Sequence, residues 1–204
     1  MPSDGDPGFD APPTPGFYVP PTSLPGEPYI LQVAADGVPL TLDEATNEAQ
    51  IVVSGVVKQV GPARWTTPDG SRPANPHLPG NRHYIVTPVT IQVTSALKGG
   101  NGNIGLGSEL TLQAFGGEVG QDRVEWLHYK DNVYQAGEQV IVFLVPPSTS
   151  DPLQTAGNRQ LWQAIERYTV DANGRARNSH SDLPVQQLFD EISSATQPLP
   201  STKP

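Results

Sequence analysis

The stretch VTIQVTSALKGGNGNIGLGSELTLQAF, residues 89–115, decides how the chain is read. Its centre, Gly100-Asn101-Gly102-Asn103-Ile104-Gly105, satisfies the G-x-G-x-x-G spacing of a dinucleotide loop. That loop works only when a strand precedes the glycines and a helix follows, so that the helix N-terminus meets the pyrophosphate. The strand is present, because Val89, Ile91 and Val93 alternate with Thr90, Gln92 and Thr94. The helix is not. Ser108 to Phe115 alternates with period two, and no acidic residue ends a second strand about 20 residues on. The glycines join two strands, and no dinucleotide is expected.

Outward from this pair, other segments read as strand. Ile51 to Val60 is β-branched and long, with Gly55 in its middle suggesting a bulge. Tyr84 to Leu97 carries Pro88, which implies an edge or a bulge. Arg123 to Tyr129 is read as a fourth strand and Glu138 to Val145 as a fifth, the latter apolar enough at Val140–Val145 to be buried on both faces. Trp162 to Arg177 reads as a hairpin turning at Asp171-Ala172-Asn173-Gly174.

Two helices are expected. Thr41-Leu42-Asp43-Glu44 is a capping box opening about two turns, to about Glu48. Leu183 to Ser194 is the second, capped by Ser181, with Val185, Leu188, Phe189 and Ile192 on one face. Gly61 to Arg82 reads as loop, with a turn at Thr67-Pro68-Asp69-Gly70.

The chain has 204 residues, 23 of them Pro and 20 Gly, and a hydrophobic share of 36%, which fits a modest core with irregular flanks. Residues 1–28 hold nine prolines and read as an extended or disordered arm punctuated by Phe9, Phe17 and Tyr18. Tyr29-Ile30-Leu31 is expected to latch onto the domain. The domain spans 29–195, and 196–204 is a disordered tail.

A net charge of −9 argues against a nucleic-acid groove and against docking on anionic lipid. With no cysteine, thiolate catalysis, disulfides and cysteine-held metals are excluded. No apolar run reaches the roughly 20 residues of a membrane-spanning helix. The N-terminus lacks the basic and apolar regions of a signal peptide, so the chain as written carries no export signal.

Candidate sites are few. Glu125 and His128 have E-x-x-H spacing, but on a strand they face opposite ways. Ser179-His180-Ser181-Asp182 puts triad residue types side by side, where they cannot hydrogen-bond in series, and a helix cap explains them. Asp171 to Gly174 resembles the start of a calcium loop, yet Arg175 and Arg177 stand where acids belong. His77 and His83, with Arg72 and Arg82, flank a Pro-rich loop and could form only half a metal site. Gly116, Gly117, Glu118, Gln121 and Asp122 read as a mobile acidic loop between strands, either a β-turn with solvated charges or a recognition loop for a basic or polysaccharide partner, with Trp65, His77 and His83 as further interaction residues. No catalytic set, metal or cofactor is expected, and the chain is read as a non-enzyme.

Three pieces then carry a resemblance: Val53-x-Gly55-x-Val57, Val93-x-x-x-Leu97-Lys98-Gly99, and Gly137-Glu138-x-Val140-x-Val142-Phe143-Leu144. Their order, after a short helix and across residues 41–145, is similar to netrin-like and tissue-inhibitor-of-metalloproteinase-like OB-fold domains and to bacterial extracytoplasmic proteins built the same way. The resemblance implies a mainly β fold, a five-stranded, partly open Greek-key barrel of OB type with a short N-terminal helix, a C-terminal β-hairpin and a C-terminal helix. It implies work in the cell envelope or outside the cell. Inhibitory chemistry does not carry over, because that family's N-terminal cysteine is absent. The expectation is a non-catalytic binding module for an unidentified protein or glycan. Alternatives are an inhibitor or accessory subunit of a secreted hydrolase, acting through 61–82 or 116–122, and a structural subunit that self-assembles through its N-terminal arm.

Overall fold

The computed structural model describes residues 26–33, 40–77, 83–99, 104–126, 133–146 and 162–196. Along them run β1 (Ile30–Val33), α1 (Leu42–Glu48), β2 (Ile51–Val60), β3 (Arg64–Trp65), β4 (Ile85–Lys98), β5 (Glu109–Phe115) and β6 (Gly117–Val119). Then follow β7 (Asp122–Trp126), β8 (Gln139–Val145), β9 (Gln163–Val170), β10 (Arg175–Arg177), β11 (Asp182–Pro184) and α2 (Val185–Ala195). The described residues are mainly β, with two helices.

Eight strands form one sheet in the order β11-β10-β9-β8-β2-β4-β3, with β5 also paired to β4. The ladder does not close into a barrel. β5 meets the start of the β9 segment through a single parallel bridge, Leu112 to Trp162, where the Gln113 N–H donates to the Trp162 carbonyl at 2.9 Å.

The glycine stretch is a connection, as its flanks require. β4 and β5 are antiparallel from Val86↔Phe115 to Gln92↔Glu109. At the end of the connection Gly107, with φ of 83°, donates its N–H to Val93, and Val93 donates to Ser108. Gly100 to Asn103 lie outside the described residues.

β2 is the wall between two cores. Ile51, Val53 and Val57 face a cluster with Val89, Ile91, Val93, Leu110, Leu112, Val140, Val142, Leu144, Tyr134 and Trp162. Val52 faces the other way, toward Ile141, Phe143, Tyr168, Leu188 and Ile192 beneath the helices. β8 is likewise buried from Val140 to Leu144, so both its faces are covered. Each fully buried aliphatic side chain contributes about 1.5–3 kcal/mol, which makes these two strands the main source of stability. The β2–β4 register shifts at Ser54/Gly55, where the bulge was expected.

The capping box forms as read: Glu44 N–H donates to Thr41 Oγ1 and Thr41 N–H to Glu44 Oε2. These bonds hold the Glu44 carboxyl below its ordinary range, the backbone bond first. At the other end the expectation fails. Asp182–Pro184 is strand β11, α2 begins at Val185, and no side chain caps it. Pro184 has no N–H, and its neighbours Leu183 and Asp182 pair with β10, which draws the chain into strand before the helix can start.

Two further corrections concern the middle of the chain. Arg64–Trp65, read as loop, pairs with Ile85 and Val86 of β4. Arg123–Tyr129, read as a fourth strand, is strand as far as Trp126 in β7, but in a separate sheet of order β1-β7-β6, and residues 127–129 lie outside the described residues. The cause is the Gly116-Gly117 corner. Both residues have positive φ, and a Cβ would stand 2.7 Å from the Val124 carbonyl oxygen at Gly116 and 2.6 Å from the Ala63 Cβ at Gly117. Only glycine turns the chain out of the main sheet there.

Candidate functional site

A cleft of about 420 Å³ opens where β4 and β5 meet the β6–β7 hairpin. Val89 and Ala114 reach it from the interior cluster, and Phe115 and Val124 come from the small third core around Trp65 and Ile85. Val60 and Val133 edge it with 37% and 67% of their surface exposed, two of the few large apolar side chains left to solvent among the described residues.

The polar lining is concentrated on the hairpin. Arg123 and Glu125 are two apart on β7 and so share a face, while Glu118 is the cross-strand partner of Arg123. The guanidinium lies 2.6 Å from Glu125 and 3.4 Å from Glu118. Two carboxylates to one guanidinium leave this edge of the cleft one negative charge in excess. Exposed pairs of this kind add little stability. At the back, Thr87 Oγ1 donates to the Gly116 carbonyl at 2.8 Å and fixes the hairpin corner to β4.

Tyr134, in the lining, is fixed from behind. Its ring lies 4.0 Å beneath the Arg167 guanidinium carbon. Arg167 is buried, pairs with Glu138 at 2.5 Å and donates to the Val133 carbonyl at 3.0 Å. Burial pushes the Tyr134 phenol well above its ordinary range, so it is neutral at any physiological pH.

The residues singled out from sequence disperse. Trp65 is buried, tilted against Tyr29 at 5.4 Å, and belongs to the third core instead of a surface. His77 packs on the other side of Tyr29 at 5.1 Å. His83 is half-buried at the entry to β4, and Arg82 lies outside the described residues. Asp122 is not a solvated loop acid. It is 4% exposed, accepts the Tyr29 N–H at 2.8 Å and pairs with Arg72 at 2.8 Å. Arg72 in turn donates to the Glu27 carbonyl. The expected mobile loop is thus a hairpin with Gly120 and Gln121 at its tip, pinned by Asp122. Of the proposed interaction residues, Gly116, Gly117 and Glu118 line the cleft.

His128 lies outside the described residues, and Glu125 accepts a hydrogen bond from Gln32. Asp182 pairs with Arg175 and Arg177, and Asp171 accepts the N–H groups of Asn173 and Arg175. Among the described residues, no three His, Asp or Glu side chains gather where they could hold a metal ion. No helix of the described residues is long and apolar enough to cross a membrane.

Sequence reading missed Val60, Thr87, Tyr134 and Arg167. A signal existed for Arg167 alone: on β9 it stands opposite Val142, an interior position where an arginine requires a partner. No protein-family model matches the chain, and no curated protein matches it significantly in sequence.

Proposed function

We propose that this protein is a non-catalytic binding module whose ligand site is the cleft between β4, β5 and the β6–β7 hairpin. The observation that carries the reading is the composition of that cleft. An apolar floor and exposed valine edges surround one short charged cluster, the pattern of a site that holds a ligand by shape and orients it with few polar groups. Among the described residues its polar lining is Thr87, Glu118, Arg123, Glu125 and Tyr134, with Thr87 Oγ1 donating to the Gly116 carbonyl and both carboxylates beside Arg123. The ligand this lining suits is an apolar body with a donor or cationic group placed toward Glu118 and Glu125.

The topology supports a finer reading of the fold. β2, β4 and β5 form a meander, β8 lies on the other side of β2, and the β9 segment touches both β8 and, in parallel, β5. That order is the one expected of an OB-like five-strand barrel with a narrow seam, and it keeps the netrin-like resemblance and an extracytoplasmic setting as the working proposal.

The test is a methyl-resolved NMR titration of the full chain with two panels, apolar tripeptides bearing a lysine and neutral oligosaccharides. The reading expects shifts clustered on Val60, Val89, Val124 and Val133, weakened in Val133→Asp at the exposed edge, and ligand recovered unchanged. Chemical conversion of the ligand, or shifts that avoid these four valines, refutes it.

A further inference from the structure

A different part of the molecule carries a second conclusion, independent of the cleft's occupant. We propose that the slot holding residues 27–33 is a strand-acceptor site, and that its exchange partner is the same segment of a second copy of this chain.

The slot recognises main chain. Asp122 accepts the Tyr29 N–H, the Tyr29 carbonyl accepts the Arg123 N–H at 2.7 Å, and Arg72 takes the Glu27 carbonyl at 2.6 Å. β1 then runs parallel along β7, from Ile30↔Arg123 to Val33↔Trp126. Alternate side chains supply the rest. Tyr29 enters between Trp65 and His77, Leu31 packs on the third core and Val33 is buried, while Ile30 stays 56% exposed. Main-chain pairing with pockets at every second residue is the physics of strand addition.

The strand's pairing partners on β7 are 93 residues away along the chain, and residues 34–41 connect it to α1. The slot cannot stay empty cheaply. Vacated, it leaves the Asp122 carboxylate without the Tyr29 N–H, strips the cover from Trp65 and opens the β7 edge. A second copy presents an identical segment, so the hydrogen bonds and packing that one chain gives up are remade between two. The tether and the protein concentration then decide which form prevails.

The absence of cysteine makes a direct test clean. Gln32 and Glu125 are Cα partners in the β1–β7 register, neighbouring-strand positions whose backbone separation a disulfide can bridge. Full-length Gln32→Cys and Glu125→Cys are mixed at equal amounts, incubated reduced, then oxidised mildly. A disulfide-linked heterodimer is expected, absent from either variant alone, with a dimer-to-monomer ratio that falls about tenfold on tenfold dilution while dimer is the minor species. The double variant on one chain serves as the geometric control. If it closes within the chain while the mixture yields no heterodimer at any concentration, the exchange is refuted. If neither links, the β1–β7 pairing itself is refuted.

Discussion

Gly55→Ala is expected to be the most destabilising single-methyl change in β2. Gly55 is buried opposite β4, and an added Cβ would stand 2.5 Å from Ile91 Cγ2 and 2.6 Å from the Gln92 carbonyl oxygen. Neither can retreat at low cost. Ile91 is a β-branched residue in the fully packed interior, with little freedom at χ1, and the Gln92 carbonyl belongs to the β4 backbone. Overpacking costs about 1–3 kcal/mol, and a clash against backbone belongs at the upper end, about 3 kcal/mol. For a chain of this size that lowers Tm by about 6–12 °C. The matched control is Gly105→Ala, where no atom lies within 4 Å and φ is ordinary, so stability should move by no more than about 0.5 kcal/mol. Urea unfolding followed by circular dichroism measures both. Equal midpoints for the two variants would refute the close approach of β2 to β4.

Leu188→Ala removes a fully buried side chain from beneath α2 and should cost about 3 kcal/mol, read from the same urea midpoints. Asp122→Ala removes the acceptor of Tyr29 and the partner of Arg72, and should loosen the arm by about 2 kcal/mol, seen as faster proteolysis between residues 26 and 40 with Tm of the main sheet little changed. The Glu44 carboxyl is held below its ordinary range, so its contribution to α1 is fully present above the unfolded-state value and is lost as pH falls through the lower folded-state value. Carbon-detected titration should place its midpoint below the ordinary glutamate range, and Glu44→Gln should flatten that part of the acid unfolding curve.

What was legible in sequence was what local chemistry dictates. Period-two alternation at Val89–Val93 and Glu109–Phe115, the Thr41/Glu44 box and the Asn173-Gly174 turn each specify their own backbone. Gly55 was readable as a bulge because a glycine has few other reasons to interrupt β-branched residues. The failures came where distant partners decide. Asp122 looks like a loop acid until Tyr29 and Arg72, 93 and 50 residues away, arrive beside it. Trp65 looked exposed among prolines, yet the third core is assembled from residues 29, 31, 63, 65, 85, 115, 119 and 124. The cleft was invisible for the same reason. Val60, Thr87, Val124 and Val133 form no pattern along the chain: β2–β4 pairing sets Val60 beside Thr87, and the turn at Gly116-Gly117 brings Val124 to them.

The shared wall formed by β2 also governs how the molecule can be made. Its β4 partner follows within one hairpin, but Ile51 pairs with Leu144 on its other side, 93 residues later. Until β8 emerges and finds it, an apolar β-branched edge stands open, and closing so long a loop is slow. Refolding should therefore be rate-limited by the docking of β8, with that interval the period of greatest exposure to aggregation. During synthesis the first half of the chain waits, unfinished, for a single strand.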